Sequence, residues 1–326
     1  MLSMEKIIWK TDPCNPVIRP GVLHPGLDDN KAGACHVLDM GDRLRMYYWG
    51  TGKKGNVILA AESPGDKPNS WEPLNGCLLE PQPNTSHNSG GPSFPFVIPL
   101  TEKKWHMYFV GWGNPKPDGK LPNTTNLAVS NDAGITWKYY EKNPIIPLDK
   151  PWDKEGTGSV SVIKLKNQLW MYYTAIGEYF DKPKGVRTGH GNKIPKIGIA
   201  LAKSKDGINW EKHNELVLAP RGFNAEPYEY INSKPFVLPE EKGFRMWFSS
   251  FGYAYRIQEA VSQDGIKWAH VTNNADSYFG IGQEGAFDDK QRSYACIVKR
   301  KDIYHMWYTG NGFGSTGIGY AIGNAR

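Results

Sequence analysis

The chain has little of what would place it in several large functional classes. Its four cysteines, Cys14, Cys35, Cys77 and Cys296, stand at no metal-binding or redox spacing, so neither a disulfide framework nor a zinc site is expected. No stretch approaches the length of a membrane span, and residues Met1 to Lys6 contain no apolar core of signal-peptide length. The expectation is therefore a cytoplasmic protein with no membrane partner. Basic residues are scattered through a chain whose formal charge is +6. A nucleic-acid surface needs a basic stripe, and none is present. No long segment carries a 3.6-residue apolar period, which removes the helices a doubly wound α/β fold requires.

Aromatic residues and turn formers are what the chain has in abundance, with aromatics at 13% of 326 residues, 36 glycines and 24 prolines. This composition suits many short strands. One short aromatic strand occurs five times: Met46-Tyr47-Tyr48-Trp49, Met107-Tyr108-Phe109-Val110, Met171-Tyr172-Tyr173-Thr174, Met246-Trp247-Phe248-Ser249 and Met306-Trp307-Tyr308-Thr309. The spacing is roughly 60 to 75 residues, and a unit that recurs in this way and cannot bury itself alone implies a stacked or radial array.

Each aromatic strand follows an apolar run anchored on Val37, Val97, Val162, Val237 or Ile297, expected to be the innermost strand of its unit. Each precedes a strand of small residues such as Leu59-Ala60-Ala61 or Ile199-Ala200-Leu201-Ala202, which lets neighbouring sheets approach closely. A turn then leads to a fourth strand, its chemistry repeating in Asp132-Ala133-Gly134, Asp206-Gly207 and Asp264-Gly265, each followed three residues later by Trp137, Trp210 and Trp268. Asp-Gly between apolar runs is a strong hairpin signal because glycine reaches positive φ without steric cost. Four antiparallel strands taken five times predict an all-β, five-bladed β-propeller, one domain over residues 1–326. The fifth unit lacks its outer strand, and Ile7-Ile8-Trp9-Lys10 supplies it: Trp9 precedes Asn15-Pro16 as Trp137 precedes Asn143-Pro144. A strand near residues 6–10 should thus complete the last blade and remove the open edges.

In such a ring the residues entering the innermost strands line an axial funnel, a concave place for a ligand. Asp28, Asp153 and Asp288 fall in one register in three units, so internal repetition marks them as scaffold, accepting backbone N–H bonds. Carboxylates found in a single unit are the candidates for chemistry. They are Glu155, Glu229, Glu226 and Asp29. Glycoside cleavage needs two carboxyl groups across the scissile bond, and their separation sets the stereochemical outcome. Glu155 and Glu229 enter from adjacent units. Expected substrate contacts are His24 and His87, as hydroxyl partners or proton carriers; Trp112, Tyr179, Tyr253 and Phe313, as faces for a pyranose ring; and Arg187, His190 and Arg256, as clamps for an anionic group. Arg187 and His190 belong to the longest irregular insertion, residues 177–195. No spacing calls for a metal or other cofactor.

The five Met-aromatic strands, the Ser-x-Asp-Gly-Ile-x-Trp turns at Ser204 to Trp210 and Ser262 to Trp268, the strand Tyr255-Arg256-Ile257 and the run Tyr308-Thr309-Gly310-Asn311-Gly312-Phe313-Gly314 resemble the five-bladed propeller superfamily of glycoside hydrolase families 32, 43, 68 and 130. The likeness spans the chain and is nearest to the uncharacterised bacterial family 32/43-like members. It implies a glycosidase acting on a small carbohydrate. The resemblance places two aspartates and a glutamate three residues before the apolar anchors, where this chain has Ala34, Phe94, Ser159, Lys234 and Tyr294. The family triad therefore does not carry over, and any catalysis falls to displaced acids such as Asp29, Glu155 or Glu229. Lys234 and Tyr294 at those positions point to an anionic or differently functionalised ligand. Two alternatives stay open: a phosphorylase using a cationic cradle of Lys234, Arg187, His190 and Arg256, and a carbohydrate-binding propeller that has lost its acids.

Overall fold

The computed structural model describes residues 5–74, 76–114, 120, 122–187, 191–225, 228–272 and 278–325. Among the described residues it is all-β, with twenty strands joined by short connections. Strand β1 (Ile7–Thr11) comes first and is paired last. The next four, β2 (Lys31–Asp39), β3 (Arg43–Gly52), β4 (Gly55–Pro64) and β5 (Glu72–Pro73), form an antiparallel sheet in chain order. So do β6 (Gly91–Pro99), β7 (Trp105–Trp112), β8 (Asn123–Ser130) and β9 (Lys138–Tyr139). The pattern repeats in β10 (Gly156–Leu165), β11 (Gln168–Asp181), β12 (Lys193–Ser204) and β13 (Glu211–Lys212). It repeats again in β14 (Ile231–Glu240), β15 (Gly243–Phe251), β16 (Tyr255–Ser262) and β17 (Ala269–His270). A single parallel bridge, Ile197 to Ile231, links these last two sheets. Finally β18 (Ser293–Arg300), β19 (Ile303–Thr309) and β20 (Ile318–Ala325) pair in order, and β1 adds antiparallel to β20 with Ile7 opposite Ala325.

The first strands of the five sheets touch in succession: β2 meets β6, β6 meets β10, β10 meets β14, β14 meets β18, and β18 returns to β2. Among the described residues no helix is long and apolar enough to cross a membrane.

The repeated motif is legible as packing chemistry. The methionines Met46, Met107, Met171, Met246 and Met306 are fully buried between sheets. The tyrosine after the methionine reaches across to the next sheet, where its hydroxyl donates to the carbonyl of a turn glycine: Tyr108 to Gly207 at 2.8 Å, Tyr172 to Gly265 at 2.9 Å and Tyr47 to Gly134 at 3.3 Å. The tyrosine two residues after the methionine instead donates to its own sheet's buried aspartate: Tyr48 to Asp28 at 2.8 Å, Tyr173 to Asp153 at 2.9 Å and Tyr308 to Asp288 at 2.8 Å. Asp28 and Asp153 also accept backbone N–H bonds from Gly21 and Lys150. In Asp288 the place of that bond is taken by the Arg292 guanidinium. These aspartates are scaffold.

The turns that receive the tyrosines are built alike. Ser204 Oγ accepts from Gly207 N at 2.8 Å, and Asp206 accepts from the backbone of Ile208 and Asn209; Ser262 and Asp264 do the same for the following sheet. Gly207 and Gly265 take φ of 74° and 73°, a conformation that disfavours any residue with a Cβ. The strands that follow are only two residues long in β9, β13 and β17, shorter than the sequence pattern implies, because pairing stops after the two residues that follow each tryptophan.

Candidate functional site at the entering ends of the inner strands

Every first strand carries the same irregularity. The register slips between Gly33 and His36, Ser93 and Phe96, Thr157 and Val160, Ser233 and Phe236, and Ser293 and Cys296. Each slip is a β-bulge, which re-aims the side chain at its centre. The centres are Ala34, Phe94, Ser159, Lys234 and Tyr294, the five positions that the internal alignment places three residues before the apolar anchors. Four of them adopt positive φ, from 45° at Ala34 to 59° at Tyr294, a strain of about 1–2 kcal/mol per non-glycine residue. Hydroxyls of the preceding sheet hold three of the bulges. Thr309 Oγ1 accepts from Ala34 N, Thr174 Oγ1 from Lys234 N and Ser249 Oγ from Tyr294 N, at 2.8 to 3.0 Å. Each of these hydroxyls lies three residues after the sheet's methionine. Trp49 and Val110 occupy the corresponding places in the first two sheets, so the bulges at Phe94 and Ser159 are not held in this way.

The bulges present aromatic rings to one another. Trp49 stacks on Phe94 with centroids 5.7 Å apart, Phe94 meets Tyr294 edge-on at 4.8 Å, Tyr294 lies 5.5 Å from Tyr255, and Tyr255 lies 5.8 Å from Phe313. Asn56 fixes the Trp49 indole N–H at 2.9 Å. Lys31 Nζ sits 5.3 Å from the Trp49 ring and 5.6 Å from that of Phe313, within cation–π range; burial lowers its pKa. Trp112 is half-buried and donates to Ser93 Oγ at 2.6 Å.

The residues singled out from sequence are distributed unevenly around this layer. Glu155 is half-buried, ion-paired with Lys120 at 3.2 Å, and Lys120 in turn lies 4.8 Å from the Tyr179 ring. Arg187 covers the exposed Tyr253 at 4.2 Å, and its carbonyl accepts from Tyr228. Arg256 donates to the Lys290 carbonyl at 3.2 Å. His87 is half-buried, and burial lowers its pKa. Glu226 and His190 lie outside the described residues.

Three of the expected site residues are engaged within the chain. Glu229 is 1% exposed and is saturated with donors: Arg221 N and Nη2, Ser250 Oγ, Gln258 Nε2 and Asn232 Nδ2, at 2.9 to 3.3 Å. Burial pushes its pKa up, but the Arg221 hydrogen bonds and charge overcome that and hold it below the ordinary glutamate value. A carboxylate so placed is a structural anion, without lone pairs free for a proton in transit. Asp29 is exposed and accepts from Gly26 N at 2.7 Å, closing a loop turn. His24 is buried with both ring nitrogens engaged, by the Tyr48 hydroxyl at 2.7 Å and the Leu74 carbonyl at 2.9 Å, which leaves neither for a sugar hydroxyl.

Sequence reasoning missed Lys31, Trp49, Phe94, Tyr255 and Lys120. For Lys31 a signal was available, since it is the first residue of an inner strand where the other sheets begin with Gly91, Gly156, Ile231 and Ser293. For Lys120 none was, because its partner Glu155 is 35 residues away in another sheet.

No family model matches the chain. An uncharacterized protein of Mycobacterium tuberculosis, strain ATCC 25618 / H37Rv, is 27% identical over 224 residues, a stretch covering 66% of each chain and so just under two thirds of that relative. Among solved structures, one described as a glycoside hydrolase superposes with a TM-score of 0.72 at 18% identity over 96% of this chain and 92% of the other. A second comes from work on the GH130 family of mannoside phosphorylases, containing glycoside hydrolases that target β-1,2 mannosidic linkages in Candida mannan; its TM-score is 0.73 at 14% identity, over 99% and 95% of the two chains. A thermostable family-43 glycoside hydrolase gives 0.63 at 18% identity over 90% and 88%. The chain therefore shares the all-β, multi-sheet fold of these solved structures.

Proposed function

We propose that the five sheets are the blades of one closed five-bladed propeller, with β1 completing the fifth, and that the chain is a glycoside-active enzyme taking a carbohydrate at its axial mouth. The observation that carries this reading is the aromatic layer built on the axial bulges, with Lys31 beside it. Aromatic faces suit the apolar side of a sugar ring, and a concave site with few convergent polar groups is the common form of a ligand pocket. Glu155 is the proton-transfer group. It is the half-buried candidate carboxylate at the entering ends that pairs, among the described residues, with one amine, that of Lys120, so lone pairs remain to take a proton. The cations Lys31, Lys120, Arg187 and Arg256 fit a substrate with an acidic substituent, or phosphate as the attacking group.

One observation favours a second reading, recognition without turnover: none of the five bulge centres is a carboxylate, and Glu229 is unavailable. The test is a panel of chromogenic glycosides and oligosaccharides, with and without inorganic phosphate, run beside calorimetry. The expected result is turnover that Glu155→Gln lowers by a factor of about 100 or more while sugar binding persists. Binding by wild type with no turnover would leave the second reading, and full activity in Glu155→Gln would remove Glu155. A sugar 1-phosphate formed only with added phosphate would identify phosphorolysis.

A further inference from the structure

One pleat beyond the bulge centres the inner strands place His36, Phe96, Phe236 and Cys296, with the His36 and Phe96 ring centroids 4.1 Å apart and Phe96 and Phe236 6.2 Å apart. Lys234 extends into this interior. Its side chain is 1% exposed, its Nζ lies 5.8 Å from the Phe236 centroid, and that nitrogen makes no hydrogen bond to any described residue. The titratable groups facing it are the Cys35 and Cys296 thiols and the His36 imidazole, with no carboxylate among them in the described residues.

The surroundings are rich in donors. Lysine offers three N–H groups and no acceptor. Both cysteines are unpaired, and burial pushes their thiols up, so they keep their protons. The Val97 N–H donates to His36 Nδ1 at 3.2 Å, which puts the ring proton on Nε2. An ammonium buried against donors and aromatic rings is strongly unfavourable unless a counter-charge reaches it. Burial lowers the Lys234 pKa, in keeping with the missing partner. The position itself is strained, and Thr174 holds its backbone N–H in place, so the side chain is directed inward by the bulge.

We propose that the centre of the molecule binds a monatomic anion of chloride size, held by Lys234 Nζ and the thiol groups of Cys35 and Cys296. Lys234 Nζ is closed to solvent, which excludes a sugar acid or phosphate as the occupant. The ion joins the inner strands β2, β14 and β18, three of the five that meet at the axis. The inference is independent of the carbohydrate reading.

Bromide serves as the probe. A crystal soaked in sodium bromide and measured at the bromine edge should show an anomalous peak in contact with Lys234 Nζ. Thermal unfolding in sodium bromide or chloride should lie roughly 2 °C or more above unfolding in sodium gluconate at equal ionic strength, and Lys234→Met, which removes the charge and keeps the length, should abolish the difference. Absence of the peak in wild type overturns the proposal, since the amine would then stand without a counter-ion. A halide-dependent melting temperature that persists in Lys234→Met also overturns it. Should that variant fail to fold, the wild-type soak decides alone.

Discussion

At the scale of single residues, position in the repeat and chemical role have to be separated. Glu155 and Glu229 both look out of place in the internal alignment, and for opposite reasons. Glu155 has one amine partner; Glu229 has five donors and is the counter-ion of Arg221. Replacing Glu229 with glutamine removes the charge that faces the Arg221 guanidinium, and breaking a buried pair destabilises by about 3–5 kcal/mol. The Arg221 side chain is one-fifth exposed, so about 3 kcal/mol is expected, read from the urea midpoint. The sign with pH follows from the depressed pKa. Stability from Glu229 is fully present above the unfolded glutamate pKa, about 4.3, and is lost as pH falls through the lower folded value. The variant should therefore show a flatter acid limb than wild type below about pH 4; identical limbs would show that Glu229 adds nothing to acid stability. The scaffold role of Asp28, Asp153 and Asp288 was legible because three copies share one register. The partners of Glu229 were not, because Arg221, Ser250 and Gln258 converge from three separate segments.

At the scale of elements, the repeat encodes how neighbouring sheets are fastened. A tyrosine from one sheet ends on the turn glycine of the next, and the turn offers its carbonyl because Ser-x-Asp-Gly closes the loop from within. Tyr108→Phe removes one hydrogen bond to the buried Gly207 carbonyl, which His106 also approaches, so a loss of about 1 kcal/mol is expected. Tyr172→Phe should cost a similar amount at Gly265. The two latches belong to different sheet junctions, so the double variant should lose the sum within about 0.5 kcal/mol, checked by equilibrium denaturation of the three proteins. A double variant no less stable than the singles would mean that the junctions are not independent fastenings. Burial pushes the Tyr108 and Tyr172 hydroxyls far above the usual tyrosine pKa, so both stay protonated donors at any pH the fold tolerates. Strand order and the turns were legible from Met-aromatic spacing and Asp-Gly chemistry, which are local. The bulges were not, because a register slip leaves no mark on composition; only their positive φ shows what the alignment offset means.

At the scale of the whole molecule, the open question is how much one short strand contributes to holding the assembly together. Strand β1 pairs with β20, yet it also ties to the fourth sheet. Trp9 Nε1 donates to Tyr278 at 3.0 Å, and that same hydroxyl accepts from Trp247 at 2.9 Å, while Arg245 donates to the Glu5 carbonyl. Ile7 and Trp9 turn inward and Ile8 is half exposed. If the ring is closed by this strand, its two faces must differ in energy. Trp9→Ala should destabilise by about 3 kcal/mol, near the low end for a tryptophan truncation because the ring is only partly buried, and Ile8→Ala by less than about 1 kcal/mol. Deletion of residues 1–11 should go further, since it leaves the backbone of β20 unpaired along an edge that recruits another chain. A lower melting temperature together with dimers or larger species in size-exclusion chromatography is the expected outcome. A truncated protein that melts like wild type and stays monomeric would mean that the ring does not depend on β1, and that the contacts running from β18 back to β2 are enough to hold it shut.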